Sequence, residues 1–182
     1  DSSGVATVDH GDLEITKTAG RIDRLAQALK KFPAPGTIGI GHTRWATHGP
    51  ATDENAHPHI GGNGVLALVH NGVIENFRPL KQRLMELGYK FSTATDTEVV
   101  AHLLAYELEQ AQEAQGPVAL GDPYDVLVAA TQATLAQLRG TYGLAIVFRD
   151  WPDVVVAARL GSPLVIGVGQ GEHFIASDPS PL

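Results

Sequence analysis

Cysteine is missing altogether from the 182 residues. That excludes disulfides and thiolate metal sites within the chain, and it excludes a thiol nucleophile of its own. No apolar run reaches the length of a membrane span, and the start is not that of a signal peptide. Basic residues are in the minority: 13 Lys and Arg against 20 Asp and Glu give a formal charge of −7. Such a balance argues against nucleic acid or an anionic membrane as the main partner. What remains is an ordinary globular composition, 43% hydrophobic and 18% charged, in a length that suits one domain. The chain opens at Asp1 and stops after Ser180-Pro181-Leu182 without a clear terminal element, so an excerpt of a longer protein is expected.

Periodicity and punctuation predict the elements. Residues 4–18 read as two strands around the turn Asp9-His10-Gly11-Asp12. A helix over 21–31 follows from Ile22, Leu25 and Leu29 and is ended by Pro33 and Pro35. Residues 37–42 form a strand with Ile38 and Ile40 on one face, and 43–64 is a long polar loop of the kind that usually carries function. A buried strand over 65–70 precedes a helix capped by Asn76 and closed by Gly88. Thr95-Asp96-Thr97-Glu98 is a capping box, and its helix gives way to a polar connection over 110–122. After a helix over 124–138, strands are predicted at 142–148, 154–158, 164–168 and 174–176, with a turn at Trp151-Pro152-Asp153. Hairpin-length gaps require antiparallel pairing, and helices grouped between strands make the chain α+β.

Three segments could carry chemistry. His42-Thr43-Arg44-Trp45-Ala46-Thr47-His48-Gly49 sets a guanidinium, hydroxyls and imidazoles at the end of a strand. A planar guanidinium can grip a carboxylate through two parallel hydrogen bonds. A polar turn with a core Trp and a structural ion pair at Arg44 would read the same way. Asn71-Gly72 is first a turn signal. Alternatively, the Asn71 amide and the Gly72 N–H converge on one oxygen as an oxyanion hole. Asp96 suits a helix N-terminus electrostatically, and it could equally hold an ammonium group. Together with Arg44 it would make a site of opposite charges, fit for a zwitterion. His42, His48, His57, His59 and His70, with Asp53 and Glu54, invite a metal, but their spacing fits no ligand signature, and no metal is expected. The glycines at 167–171 lack the third glycine of a dinucleotide loop, and no GxSxG motif is present.

Taken in order, several motifs resemble the glutaminase (type 2 glutamine amidotransferase) domain of the glucosamine-6-phosphate synthases. They are Asp1-Ser2-Ser3-Gly4, the stretch 42–49, Asn55-Ala56-His57-Pro58-His59, His70-Asn71-Gly72-Val73-Ile74-Glu75-Asn76, Thr95-Asp96-Thr97-Glu98, Arg139-Gly140, Gly161-Ser162-Pro163-Leu164-Val165-Ile166-Gly167 and Ala176-Ser177-Asp178. The resemblance implies an N-terminal-nucleophile hydrolase-like fold, a four-layer sandwich of two antiparallel sheets between helical layers. Residues 1–182 would then be the glutaminase domain, without its N-terminal strand, its C-terminal end and the isomerase domain. It implies that Arg44, with Thr47 and His48, binds the α-carboxylate of glutamine, and that Asp96 and the Gly72 carbonyl bind the α-ammonium. Asn71 and the Gly72 N–H would form the oxyanion hole, His57 would lie near the pocket, and Trp45 would gate ammonia. The family nucleophile is an N-terminal cysteine, absent here, so the chain alone is expected to be inactive.

The implied partners are L-glutamine and, in the absent isomerase domain, fructose 6-phosphate. The implied setting is a cytoplasmic homodimer without cofactor. Two other readings stay open: a catalytically inactive glutamine-binding regulatory module, and the glutaminase domain of a sibling such as amidophosphoribosyltransferase. A metal-dependent amidohydrolase built on the histidines is the weakest alternative.

Overall fold

The computed structural model describes residues 1–45, 49–116 and 121–180. Strands β1 (Ser2–Asp9) and β2 (Asp12–Ala19) form a hairpin, followed by α1 (Ile22–Lys31) and β3 (Ile38–Arg44). Next come β4 (His59–Gly61), β5 (Leu66–Ile74), α2 (Phe77–Glu86), α3 (Asp96–Gln115) and α4 (Asp125–Leu135). The chain closes with β6 (Gly140–Phe148), β7 (Trp151–Leu160), β8 (Val165–Val168) and β9 (His173–Ala176). All pairings between these strands are antiparallel, in the orders β2-β1-β3, β4-β5-β6-β7 and β8-β9.

The β1–β2 turn shows why the hairpin reading holds. His10 and Gly11 both have positive φ, 49° and 86°, as a two-residue hairpin loop requires. Register then sets which side chains share a face. Val8 pairs with Leu13 and Ile38, and Ala6 with Ile15 and Ile40. This apolar face packs on Ala67, Val69 and Val147 of the four-stranded sheet. That sheet's other face, with Leu66, Leu68, Ile74, Leu144 and Ile146, packs on the three central helices in the main core. α1 lies against β1 and β2. The layers are therefore helix, three-stranded sheet, four-stranded sheet, helices.

α3 is buried from Asp96 through Ala105, all the way round, because the sheet covers one side and α2 and α4 the others. Its first turns nonetheless carry four buried polar residues, Asp96, Thr97, Glu98 and His102, and each needs a partner. Glu98 accepts from Ser92 N and Oγ and from Thr93 N and Oγ1 at 2.7–2.8 Å. Burial pushes the Glu98 carboxyl up, but these donors outweigh it and bring it below the ordinary value.

Several expectations shift. The strand at 65–70 runs on to Ile74, so Asn71-Gly72 is no turn: both residues pair with β6. The loop over 43–64 contains the short β4. α3 continues through 110–115. Pro152 lies inside β7 rather than in a turn, which β7 tolerates as an edge strand. Asn76 makes no cap hydrogen bond; its amide spans instead to Gln137 O and Arg139 N, at 2.8 and 2.9 Å.

Candidate functional site

Beyond its apolar stretch, the inner face of the three-stranded sheet turns polar. Continuing the same register, Gly4 sits beside Lys17 and His42, and Ser2 beside Ala19 and Arg44. On the facing sheet the alternation Ala67, Val69 leads to Asn71. Both sheets thus deliver their polar ends to one place, and the N-terminus of α3 arrives there from the helical side. A cavity of about 200 Å³ is lined by His42, Arg44, Trp45, His57, Asn71, Gly72 and Asp96, among others.

Arg44 is 3% exposed. Its guanidinium donates to Gly49 O and Pro50 O, both at 3.4 Å. Burial lowers its pKa, and the Asp96 carboxylate pulls it back up. Asp96 Oδ2 accepts from Ile74 N at 2.8 Å, which ties the start of α3 to the end of β5. Gly72 has φ +133°, and a Cβ there would collide with the Thr141 carbonyl, so the bend beside the cavity needs glycine. Trp45 is 85% exposed, which removes the core-tryptophan reading. Thr47 and His48 lie outside the described residues.

Four imidazoles gather here: His42, His57 and His70 line the cavity, and His59 lies against His57. His42 and His57 have ring centroids 4.4 Å apart, and His57 and His59 4.8 Å. His70 Nε2 donates to Thr141 O at 3.2 Å; its Nδ1 accepts from the Thr97 hydroxyl at 3.2 Å, and Thr97 Oγ1 accepts from His57 Nε2 at 2.9 Å. His59 Nε2 is 3.1 Å from Thr95 Oγ1. Among the described residues, no three His, Asp or Glu side chains converge as metal ligands.

Burial, then the neighbouring imidazoles, drive His57 well below its ordinary pKa. Burial and the nearby Lys17 charge lower His59 from 6.5 to about 3. In the unfolded chain His59 takes up its proton near pH 6.5, whereas the folded site refuses it until about pH 3. Stability is therefore lost as pH falls through that window. At roughly 1.4 kcal/mol per pH unit, His59 alone is expected to cost about 2 kcal/mol between pH 7 and pH 5. Urea midpoints measured across that range check this, and His59→Asn should flatten the dependence.

Lys17 holds the loop that carries these histidines. Its Nζ donates to Glu54 O at 2.9 Å, Ala56 O at 3.1 Å and Pro58 O at 3.4 Å. Gly4 leaves room for the same loop, since a Cβ there would strike the His57 carbonyl. Lys17→Met removes the donor and strands the carbonyls. Unfolding free energy is expected to drop by about 1–3 kcal/mol, read by urea denaturation.

The glutamine amidotransferase domain family matches residues 42–182. This chain belongs to that family. The amidotransferase domain is 48% identical over 179 residues to the glutamine–fructose-6-phosphate aminotransferase (isomerizing) of Streptomyces coelicolor, and 47% identical over 178 residues to that of Caldanaerobacter subterraneus. Each match takes in 98% of this chain but 27% of the relative's length. Among solved structures, the Bacillus subtilis glutamine phosphoribosylpyrophosphate amidotransferase superposes with a TM-score of 0.73 at 28% identity, over 97% of this chain and 35% of that one. A structure described as the allosteric regulatory enzyme of purine biosynthesis gives 0.74 at 30% identity, over 97% of this chain and 36% of that one. The α+β sandwich is that of the N-terminal-nucleophile hydrolase class.

In this amidotransferase domain, sequence reasoning singled out Arg44, Trp45, His57, Asn71, Gly72 and Asp96, and the fold brings all six to one cavity. It overlooked Lys17 and Thr97. Both had a signal: Lys17 falls on the inward period-two positions after Leu13 and Ile15, and Thr97 is a hydroxyl in the buried turns of α3.

Proposed function

We propose that this domain is the glutaminase half of a longer enzyme that hydrolyses L-glutamine and passes the ammonia to fructose 6-phosphate, giving glutamate and glucosamine 6-phosphate. The observation that carries this reading is the meeting of buried Arg44 and Asp96, opposite in charge, with Asn71 and Gly72 around one small cavity. A free amino acid has a carboxylate and an ammonium on one carbon. Arg44, with Thr47 and His48, takes the first, and Asp96 with the Gly72 carbonyl takes the second. The side-chain amide then lies toward Asn71 Nδ2 and the Gly72 N–H. Those donors stabilise the oxyanion when a thiolate attacks.

The thiol comes from outside these residues, as a cysteine whose own α-amino group serves as base. Among the described residues β3 is an edge strand, and a cavity of about 1000 Å³ runs between it and the β8–β9 hairpin. An extended strand bearing that cysteine would seat there. Attack expels ammonia and leaves a thioester, which water cleaves to glutamate. Trp45, exposed at the rim, gates the ammonia on its way to the isomerase domain, through which the cytoplasmic parent dimerises.

The parent protein, given glutamine and fructose 6-phosphate, should release glutamate and glucosamine 6-phosphate in equal amounts. Glutamine binding without glutamate release would instead support an inactive regulatory module. Glutamate without the amino sugar would point to a sibling acceptor.

A further inference from the structure

Asn71 matters to the reading above only if its amide presents nitrogen, not oxygen, to the substrate. An asparagine side chain can offer either by turning half-way round, and the wrong choice would set an acceptor against a developing negative charge. The backbone does not decide this. The β5–β6 ladder and the Ser162 hydroxyl, which donates to Asn71 O at 3.0 Å, fix the main chain alone. What holds the side chain is His42, whose Nε2 lies 2.7 Å from Asn71 Oδ1.

The two sheets make this contact unavoidable. His42 is the next inward residue of β3 after Ile38 and Ile40, and Asn71 the next of β5 after Ala67 and Val69. They meet where the inter-sheet core ends. Because Oδ1 only accepts, the proton must be on His42 Nε2. Nδ1 is then a bare lone pair, and it is indeed buried without a hydrogen-bond partner among the described residues. The ring itself is braced. It lies against His57, which is held through Thr97 and His70 to the Thr141 carbonyl. Were the proton on Nδ1 instead, the bare Nε2 would draw Asn71 Nδ2 toward itself and turn Oδ1 into the cavity.

We propose that His42 is a positioning residue that, through its Nε2–H, holds Oδ1 of Asn71 and so turns the amide nitrogen toward the reacting carbonyl. This rests on the role given to Asn71 above. The test compares two unbranched replacements of similar length in the parent protein. His42→Gln keeps an N–H near the position of Nε2, and His42→Met does not. For glutamate release, Met is expected to lower kcat about a hundredfold with KM for glutamine within about threefold, while Gln stays within about fivefold of the parent. In an Asn71→Ala background, His42→Met should cost nothing further, because the group it positions is gone.

Equal losses for Gln and Met would overturn the proposal, since packing alone would then explain them. So would losses that multiply in the Asn71→Ala background. A crystal structure of His42→Gln with its amide turned away from Asn71 would do the same without reliance on kinetics. If Asn71→Ala alone left kcat unchanged, the oxyanion role itself would have failed, a result separable from the others.

Discussion

Asn71→Ala in the parent protein is expected to lower kcat for glutamate release by about 10²–10³-fold, which is roughly 2.7–4 kcal/mol of transition-state stabilisation. KM for glutamine should move little. The reason lies in where the amide sits. Asn71 is on the inter-sheet side of β5 and shares the cavity with Arg44 and Asp96, the pair proposed to hold the amino-acid end. On the proposed reading its nitrogen faces the side-chain amide of glutamine, where charge appears only as the thiolate adds. An interaction made only then changes kcat and not ground-state binding. The substitution also frees the His42 Nε2–H, so folding should be checked beside the kinetics. Steady-state rates across glutamine concentrations separate the outcomes. A rise in KM at unchanged kcat would place Asn71 among the binding groups instead.

Arg44→Lys should do the reverse. KM for glutamine is expected to rise about ten- to a hundredfold, the scale of one hydrogen bond to a charged group, about 1.5–3 kcal/mol, with kcat close to the parent value. Charge is conserved, so the loss isolates geometry. A lysine ammonium is a single point, whereas the guanidinium meets the Gly49 and Pro50 carbonyls with separate nitrogens and keeps its planar fork in one orientation. The α-carboxylate it is proposed to grip is remote from the side-chain amide of glutamine, so turnover should be spared. Glutamate shares that carboxylate, so its inhibition as product should weaken in parallel. Inhibition constants for glutamate measured on both proteins supply the check. A fall in kcat with KM unchanged would remove Arg44 from the carboxylate role.

The placement of Arg44 at the end of β3 and of Asp96 at the start of α3 was legible from local sequence, because each element has a clear signal. Thr95 caps α3 as its capping box implies, accepting from Glu98 N at 3.2 Å, and that fixes Asp96 at the first turn. The reciprocal half of the box differs: Glu98 turns to Ser92 and Thr93 because burial demands more donors than one backbone N–H. Asn71-Gly72 misled in the other direction. Its local turn preference loses to a long strand pairing with β6, whose partner residues lie some 70 positions away and leave no local mark. Non-local pairing likewise hides the β1–β3 ladder and the stacking of the two sheets. Both decide that His42 faces Asn71. The four-layer order came from resemblance, since periodicity reports which face is buried but not what buries it.

Lys17 shows the limit at single residues. Alternation places it inward, yet what it meets there, the carbonyls of Glu54, Ala56 and Pro58, comes from a loop whose course no periodic pattern describes. The histidines of that loop invite a metal in sequence, but their spacing fits no ligand signature. In space His57 and His59 are bound to the Thr97 and Thr95 hydroxyls, and burial keeps both rings neutral.

On the proposed reading this cavity holds glutamine for a cysteine thiol that the parent protein supplies. Glutamate release should be assayed in the parent protein after the cysteine proposed as nucleophile is replaced by alanine, with glutamine binding followed by calorimetry on the same sample. Release should be abolished while glutamine still binds and Arg44→Lys still weakens that binding. Release that persists without the cysteine would contradict it.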